Sequence, residues 1–265
     1  MSIRDRFDLV ILDWAGTMVD FGCQAPVIAL QQAFELRGVR LGERSARRDM
    51  GRAKIDHVRS LLQDPAVAGA WIDARGSKAS EADIAALMTD LGPLMREQAM
   101  RASRLIDGGR AAVEALRAEG LKVGSSTGYT REMMDPVLRE AAVQGYVPDH
   151  LVCAGETPTG RPSPLMVYKA CAELGIWPLS RVVKVDDTET GIAEGRAAGC
   201  FSIGIAASGN GVGLTQEAWA VLSNAERAAP VAAAEKALLA AGADAVIDTI
   251  AGLVPLLRRL TQPQV

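Results

Sequence analysis

Phe7-Asp8-Leu9-Val10-Ile11-Leu12-Asp13-Trp14-Ala15-Gly16-Thr17 decides the fold. An apolar run ends on an aspartate and opens into a Gly-Thr turn. Continuous apolar strands belong to parallel sheets covered on both faces, and open α/β sheets place their ligands beyond the carboxyl ends of such strands. Asp13 is therefore a candidate nucleophile or metal ligand; its other reading is a residue that only caps the turn. Two places on stands Ala15, not a second acid.

Working outward, the same apolar signature predicts strands at Asp8–Leu12, Lys122–Ser125, His150–Ala154, Val182–Val185, Cys200–Ile205 and Ala245–Ile247. Helical patterns alternate with them at Gly109–Glu119, Thr130–Gln144, Pro164–Leu174 and Thr188–Ala198, the last stopped by Gly199. Strands alternating with helices imply right-handed crossovers, hence an α/β fold with a doubly wound, mostly parallel sheet. From about Ala25 to Arg101 the rhythm breaks: the patterns are helical only, as at Pro26–Arg37, Lys54–Leu62 and Glu81–Met100. This predicts an all-helical cap domain over the active site, residues 23–101, inserted after the first strand of a core made of residues 1–22 and 102–265. The connection Ala206–Ala243 carries Ser208-Gly209-Asn210-Gly211-Val212-Gly213, which lacks the spacing of a phosphate loop and reads as a mobile surface loop.

Composition narrows the function classes. The 265 residues are 49% hydrophobic and 23% charged, which excludes general disorder. A net charge of −3 offers no basic excess for nucleic acid, and no apolar run reaches membrane-spanning length. The opening Met1–Arg6 has no apolar signal segment, and Cys23, Cys153, Cys171 and Cys200 form no CxxC pair. Reduced core cysteines and a cytoplasmic location are expected.

Four strand ends carry groups suited to phosphoryl chemistry. Asp13 follows the first strand. Ser125-Ser126-Thr127-Gly128-Tyr129-Thr130 follows the second, with hydroxyls and helix-start amides able to hold phosphate oxygens. Gly160-Arg161-Pro162-Ser163-Pro164 places a cation after the third, and Lys184-Val185-Asp186-Asp187-Thr188 ends the fourth on an acidic pair fit for Mg²⁺. Each alone is explained by turn chemistry or capping; four in this order are not.

Together these loops resemble the haloacid dehalogenase superfamily of phosphotransferases, through Asp13 with Gly16-Thr17, Thr127, Arg161 and Asp187. The resemblance implies that Asp13 attacks phosphorus to form an aspartyl-phosphate, that Arg161 balances charge, and that Mg²⁺ is held by Asp13, the Ala15 carbonyl and Asp187. It gives Asp186 a supporting place beside the metal. Gly191 stands where many relatives carry a further acid.

Ala15 then becomes diagnostic, because ordinary phosphatases of the superfamily carry an acid there to protonate the leaving oxygen, and Ala donates no proton. The helical segment supplies an alternative in Met50-Gly51-Arg52-Ala53-Lys54-Ile55-Asp56-His57. A lysine amine condenses with an aldehyde, and the iminium withdraws electrons from the neighbouring carbon. If phosphorus is bonded to that carbon, the leaving group departs as an enamine and needs no acid at position 15.

The pair Asp-Trp-Ala-Gly-Thr and Met-Gly-x-x-Lys-Ile-Asp-His, with Cys23-Gln24-Ala25-Pro26-Val27 and Ser126–Thr130, resembles the phosphonatase family of that superfamily. The resemblance implies an Mg²⁺-dependent hydrolase that splits phosphonoacetaldehyde into acetaldehyde and phosphate, and a homodimer formed through the cap. Lys54 and Asp13 are the expected catalytic residues, with Thr127 and Gly51 holding substrate. His57 shares a helical face with Lys54 and reads either as a proton shuttle or as a partly buried histidine bonded to backbone. Met50, Cys23 and Tyr129 are candidates to shape the pocket, with core packing the other reading for the first two. His150 and Trp14 read as structural. Three rivals stand beside this reading: a phosphate-ester phosphatase or mutase, a catalytically dead capped module that binds a phosphorylated ligand, and a metal-independent Schiff-base aldolase.

Overall fold

A computed structural model describes residues 2–262. Six strands form one sheet: β1 (Leu9–Leu12), β2 (Lys122–Thr127), β3 (His150–Cys153), β4 (Val182–Asp186), β5 (Phe201–Ile205) and β6 (Ala245–Ile247). Their order is β3-β2-β1-β4-β5-β6, and every pairing is parallel. All four residues of β1 are buried, as a central strand covered on both faces requires. Because β1 pairs with β2 on one side and β4 on the other, its carboxyl end lies at the switch point of the sheet.

Between β1 and β2 lie five helices: α1 (Gln24–Glu35), α2 (Glu43–Arg48), α3 (Lys54–Gln63), α4 (Pro65–Arg75) and α5 (Glu81–Arg101). The sequence reading named α1, α3 and α5, though not the six-residue α2 or the alanine-rich α4. Local chemistry sets their ends. Asp64 accepts from the Ala66 and Val67 amides with Pro65 in the first turn, and Gly76 closes α4 at a left-handed φ of 77°. Ser80 and Asp83 form a reciprocal capping box on α5. In α3 the buried residues Lys54, His57, Val58, Leu61 and Leu62 fall on one stripe of three- and four-residue spacing. A lysine on that stripe is the anomaly.

The sheet is flanked by α6 (Gly109–Ala118), α7 (Arg131–Val143), α8 (Leu165–Leu174) and α9 (Glu189–Ala198), with α10 (Gln216–Val221), α11 (Asn224–Ala240) and α12 (Leu253–Thr261) following β5 and β6. The stretch expected as a mobile surface loop differs from that expectation. Ala206, Ala207, Ser208 and Asn210 are buried, and α10 and α11 occupy most of the remainder. The Ser208 hydroxyl donates to the Gly16 carbonyl at 2.8 Å and the Asn210 amide donates to Asp187 at 2.7 Å, so the glycine cluster folds back onto the strand ends. No described helix is long and apolar enough to cross a membrane. The four cysteines are buried and unpaired with one another.

Trp71 of α4 is 1% exposed and meets Phe34 of α1 edge-on, their ring centroids 6.2 Å apart. Trp71→Ala should therefore cost about 3–5 kcal/mol in urea unfolding. A loss under about 1 kcal/mol would contradict this packing account of the helical segment.

Candidate active site

The strand ends deliver their groups to one place. Asp13 directly follows β1, Thr127 ends β2, and Asp186 ends β4 with Asp187 behind it. Carboxylate oxygens of Asp13, Asp186 and Asp187 lie within 4.8 Å of one another, all three residues buried. Arg161 binds the group together from below. Its guanidinium donates to Asp13 Oδ1 at 2.8 Å, to Glu194 Oε2 at 2.9 Å, and to the Ser126 carbonyl and hydroxyl at 2.5 and 2.9 Å. Lys184 reaches Asp186 at 2.9 Å, Glu194 at 3.3 Å and the Ser126 hydroxyl at 2.9 Å.

Burial governs protonation here. Removal from water would strip charge from Arg161, but Glu194, Asp186 and Asp13 outweigh it and raise its pKa, so it stays cationic. For Asp186, burial works upward, yet Lys184 and Arg161 prevail and hold its carboxyl below the usual range. Asp13 is pushed up by burial and then by the Asp186 charge; Asp187 is pushed well up by burial and then by Asp13. Four buried carboxyls, those of Asp13, Asp186, Asp187 and Glu194, thus surround two buried cations, Arg161 and Lys184. Asp187 Oδ1 has no hydrogen-bond partner among the described residues. An uncompensated hard oxygen in a surplus of carboxylates fits a divalent cation with oxygen ligands.

Above the carboxylates lies a small cavity. Its walls come from both parts of the chain: Asp13, Ala15, Thr127, Arg161 and Asp187 from the strand ends, and Cys23, Met50, Gly51 and Lys54 from the helical segment, with Tyr129 from the β2 turn. The two parts touch closely at Gly128, where a Cβ would fall 2.7 Å from the Gly51 and Arg52 carbonyl oxygens. Only glycine admits that approach.

Lys54 is 3% exposed and opens the first turn of α3. Its amine lies 3.8 Å from Met50 Sδ and 5.5 Å from the centroid of the Tyr129 ring, and it has no ion pair among the described residues. Desolvation therefore dominates and lowers its pKa to about 8, despite the opposing field of Asp13. Burial likewise holds the Cys23 thiol well up, so it remains a thiol. His57 is placed differently from the other site candidates: it is buried behind the cavity wall and does not line it. Its pKa is pushed well down by burial and the Lys54 charge, and neither ring nitrogen makes a hydrogen bond of ordinary geometry, although the Ala46 backbone slightly favours the proton. Trp14 is fully buried and packs on Tyr146 at 5.1 Å.

The model of the haloacid dehalogenase-like hydrolases matches residues 7–199. The chain is 44% identical over 246 residues to a phosphonoacetaldehyde hydrolase of Paraburkholderia phytofirmans, covering 93% of this chain and 92% of that one. It is 37% identical over 259 residues to a phosphonoacetaldehyde hydrolase of Bacillus cereus, covering 98% of each. This chain belongs to the phosphonoacetaldehyde hydrolase family of haloacid dehalogenase-like hydrolases. The crystal structure of a phosphonoacetaldehyde hydrolase-like protein from Oleispira antarctica superposes with a TM-score of 0.95 at 39% identity, covering 96% of this chain and 92% of that one.

Within this phosphonoacetaldehyde hydrolase family member, the sequence reading assigned no role to Lys184 or Glu194 in the floor of the site, and the Ser126 hydroxyl, expected among the phosphate-holding groups, bonds to that floor instead. Ser126, Lys184 and Glu194 form its polar network, and Ser208 and Asn210 brace it from the side. Nothing in their spacing marks them: Lys184 lies inside a strand and Glu194 reads as an ordinary helix acid.

The lowered Lys54 pKa has a stability consequence. The folded state binds this proton more weakly than the unfolded chain, so the penalty is complete below pH 8 and fades as the pH rises towards 10.5. Lys54→Met should therefore stabilise the protein at pH 7 by about 2–3 kcal/mol in urea unfolding. A variant no more stable than its parent would contradict the buried, unpaired amine.

Proposed function

We propose that this hydrolase cleaves the carbon–phosphorus bond of phosphonoacetaldehyde, giving acetaldehyde and phosphate, through an imine on Lys54 and a phosphoryl group on Asp13. The observation that carries the reading is one cavity shared by an unpaired buried amine, the Asp13 carboxyl, and an alanine at position 15. The relatives' names supply the substrate. With residues 23–101 read as a cap, the amine comes from the cap and the carboxyl from the core.

The Lys54 amine adds to the aldehyde carbon and water leaves, forming the imine; its protonated form is the electron sink. An Asp13 oxygen then bonds to phosphorus while the carbon–phosphorus bond breaks. The bonding pair moves into the carbon skeleton and leaves an enamine on Lys54, so no oxygen departs and Ala15 has no proton to supply. Water next hydrolyses the aspartyl-phosphate. Protonation of the enamine carbon and hydrolysis of the imine release acetaldehyde and restore the amine.

Arg161, fixed as a cation, offsets the charge on the transferring group, and Thr127 with the Gly51 loop orients it. Met50, Tyr129 and the protonated Cys23 shape the wall around the amine. His57, neutral and adjacent on α3, favours the free amine by adding no second positive charge. When bound, a divalent cation held by Asp13, Asp187 and the Ala15 carbonyl supplies charge neutralisation at the phosphonyl oxygens, and Mg²⁺ suits that all-oxygen set. Buried reduced cysteines suit a cytoplasmic setting. A homodimer through the cap belongs to the same reading, with Ile28 and Ile72 as partly exposed apolar groups there.

The test is chemical trapping. Incubation with phosphonoacetaldehyde followed by borohydride should place a reduced adduct on Lys54, located by mass spectrometry. Lys54→Arg should lose turnover by at least about 10³-fold, since it keeps the charge and forms no imine. An active enzyme with no adduct on Lys54, or an arginine variant of undiminished rate, would overturn the mechanism.

A further inference from the structure

The guanidinium of Arg47 in α2 is bonded mostly to groups far from its own helix. Nη1 donates to the Gly22 carbonyl at 2.8 Å and to the Asn210 side-chain oxygen at 3.3 Å, and Nη2 donates to the Gly213 carbonyl at 2.9 Å. Nε turns back along α2 to Glu43 at 2.8 Å. Asn210 completes the pair by donating its side-chain amide to the Arg47 carbonyl at 3.1 Å. Gly22 stands at the entry to the helical segment, whereas Asn210 and Gly213 belong to the glycine cluster beyond β5. One side chain thus joins α2, the entry and the cluster.

The crossing is shaped around that side chain. Gly213 has a φ of 67°, and a Cβ there would fall 2.8 Å from Arg47 Cζ; at Gly22, with a φ of 81°, one would fall 1.9 Å from the Leu214 carbonyl oxygen. Gln24 spans the same two positions, donating to the Gly22 carbonyl at 3.1 Å and to the Gly213 carbonyl at 2.8 Å. From Asn210 the connection runs inward. Its backbone amide donates to Asp187 Oδ2 at 2.7 Å, which fixes one oxygen of that carboxyl and leaves the buried Oδ1 without a partner. In the other direction α2 leads within a few residues to Met50, Gly51 and Lys54, which wall the cavity.

We propose that Arg47 and Asn210 are positioning residues that act as one latch: the Arg47 fork fastens α2 to the entry of the helical segment and to the glycine cluster, and through Asn210 the same fastening aims the Asp187 carboxyl. The Lys54 wall of the cavity and its carboxylate floor are then set by one contact, so that the amine is enclosed when the carboxyl is aligned. A charged fork held by several carbonyls suits this, because breaking it strands all of them together. The inference rests on the reading of residues 23–101 as a cap.

Acylation of the full chain by a bulky N-hydroxysuccinimide ester, mapped by mass spectrometry, reads the Lys54 end. Lys184, buried in the floor, reports global unfolding, and the exposed Lys78 gives the unhindered rate. In the unaltered protein Lys54 should be protected like Lys184. Arg47→Met keeps an unbranched stem and loses every donor; it should quicken Lys54 acylation by about tenfold or more while Lys184 stays protected, because the lost charge-assisted bonds raise the open population. Hydrogen exchange of the Asn210 amide reads the Asp187 end. The only asparagines are Asn210 and Asn224, so the signal is readily assigned in asparagine-labelled protein, and its exchange should quicken in the same variant. Asn210→Ala, which removes one arm of the latch, should also quicken Lys54 acylation. Lys54 as protected in Arg47→Met as in the unaltered protein, Asn210 exchange unmoved by that variant, or Lys54 reacting as fast as Lys78 before any substitution overturns the proposal. If Lys184 shows that Arg47→Met unfolds, Asn210→Ala decides alone, and unchanged protection of Lys54 there overturns it. Neither readout involves turnover, so failure of the imine chemistry, seen as an active enzyme without a borohydride adduct, stays distinct from failure of the latch.

Discussion

The Arg161 guanidinium ties four elements of the core to one point. Through it the residue after β1, the Ser126 backbone of β2, the end of β4 and Glu194 of α9 are hydrogen-bonded or ion-paired to a group that is 3% exposed. Removing one member of such a buried network strands the others without water, at a cost of several kcal/mol, so the arrangement is held together by the expense of its alternatives. The planar, permanently charged fork of arginine is suited to this; lysine would not reach the same partners in the same plane.

The two lysines of the site sit under opposite constraints. Lys184 is fully buried among Asp186, Glu194 and Ser126 and neutralises the floor. Lys54 is buried equally well, but beside a thioether and an aromatic ring. One lysine is therefore a counter-charge and the other a latent free amine, although a residue count would not tell them apart. The same desolvation that destabilises the folded protein at Lys54 favours the free amine on which the proposed mechanism depends.

Much of this was legible along the chain because burial imposes a sequence signature. The β1 to β6 strands read as short segments, apolar in β1 and largely so in the others, since both faces of a parallel sheet are covered, and their ends fall within a few residues of expectation. Asp13, Thr127 and Asp187 were legible because each ends or follows a strand, Arg161 because it stands in the Gly-Arg-Pro loop beyond β3, and Lys54 because Ala15 leaves no acid at that position while the Met50–His57 stretch offers an amine. The floor was not. Glu194 and Lys184 owe their burial to elements packed on them from distant parts of the sequence, and their spacing matches that of any solvated charge. The fold-back of residues 206–210 was hidden for a related reason: a glycine cluster reads the same whether it waves in solvent or lies against a carboxylate.

The central claim is that a buried amine without a carboxylate partner shares a cavity with the Asp13 carboxyl. Its most direct measure is the titration of Lys54 Nζ by ¹⁵N NMR in lysine-labelled protein, assigned by the signal lost in Lys54→Met. A midpoint near pH 8 is the predicted result. A midpoint at 10.5 or above, the behaviour of a solvated or ion-paired lysine, would contradict the account.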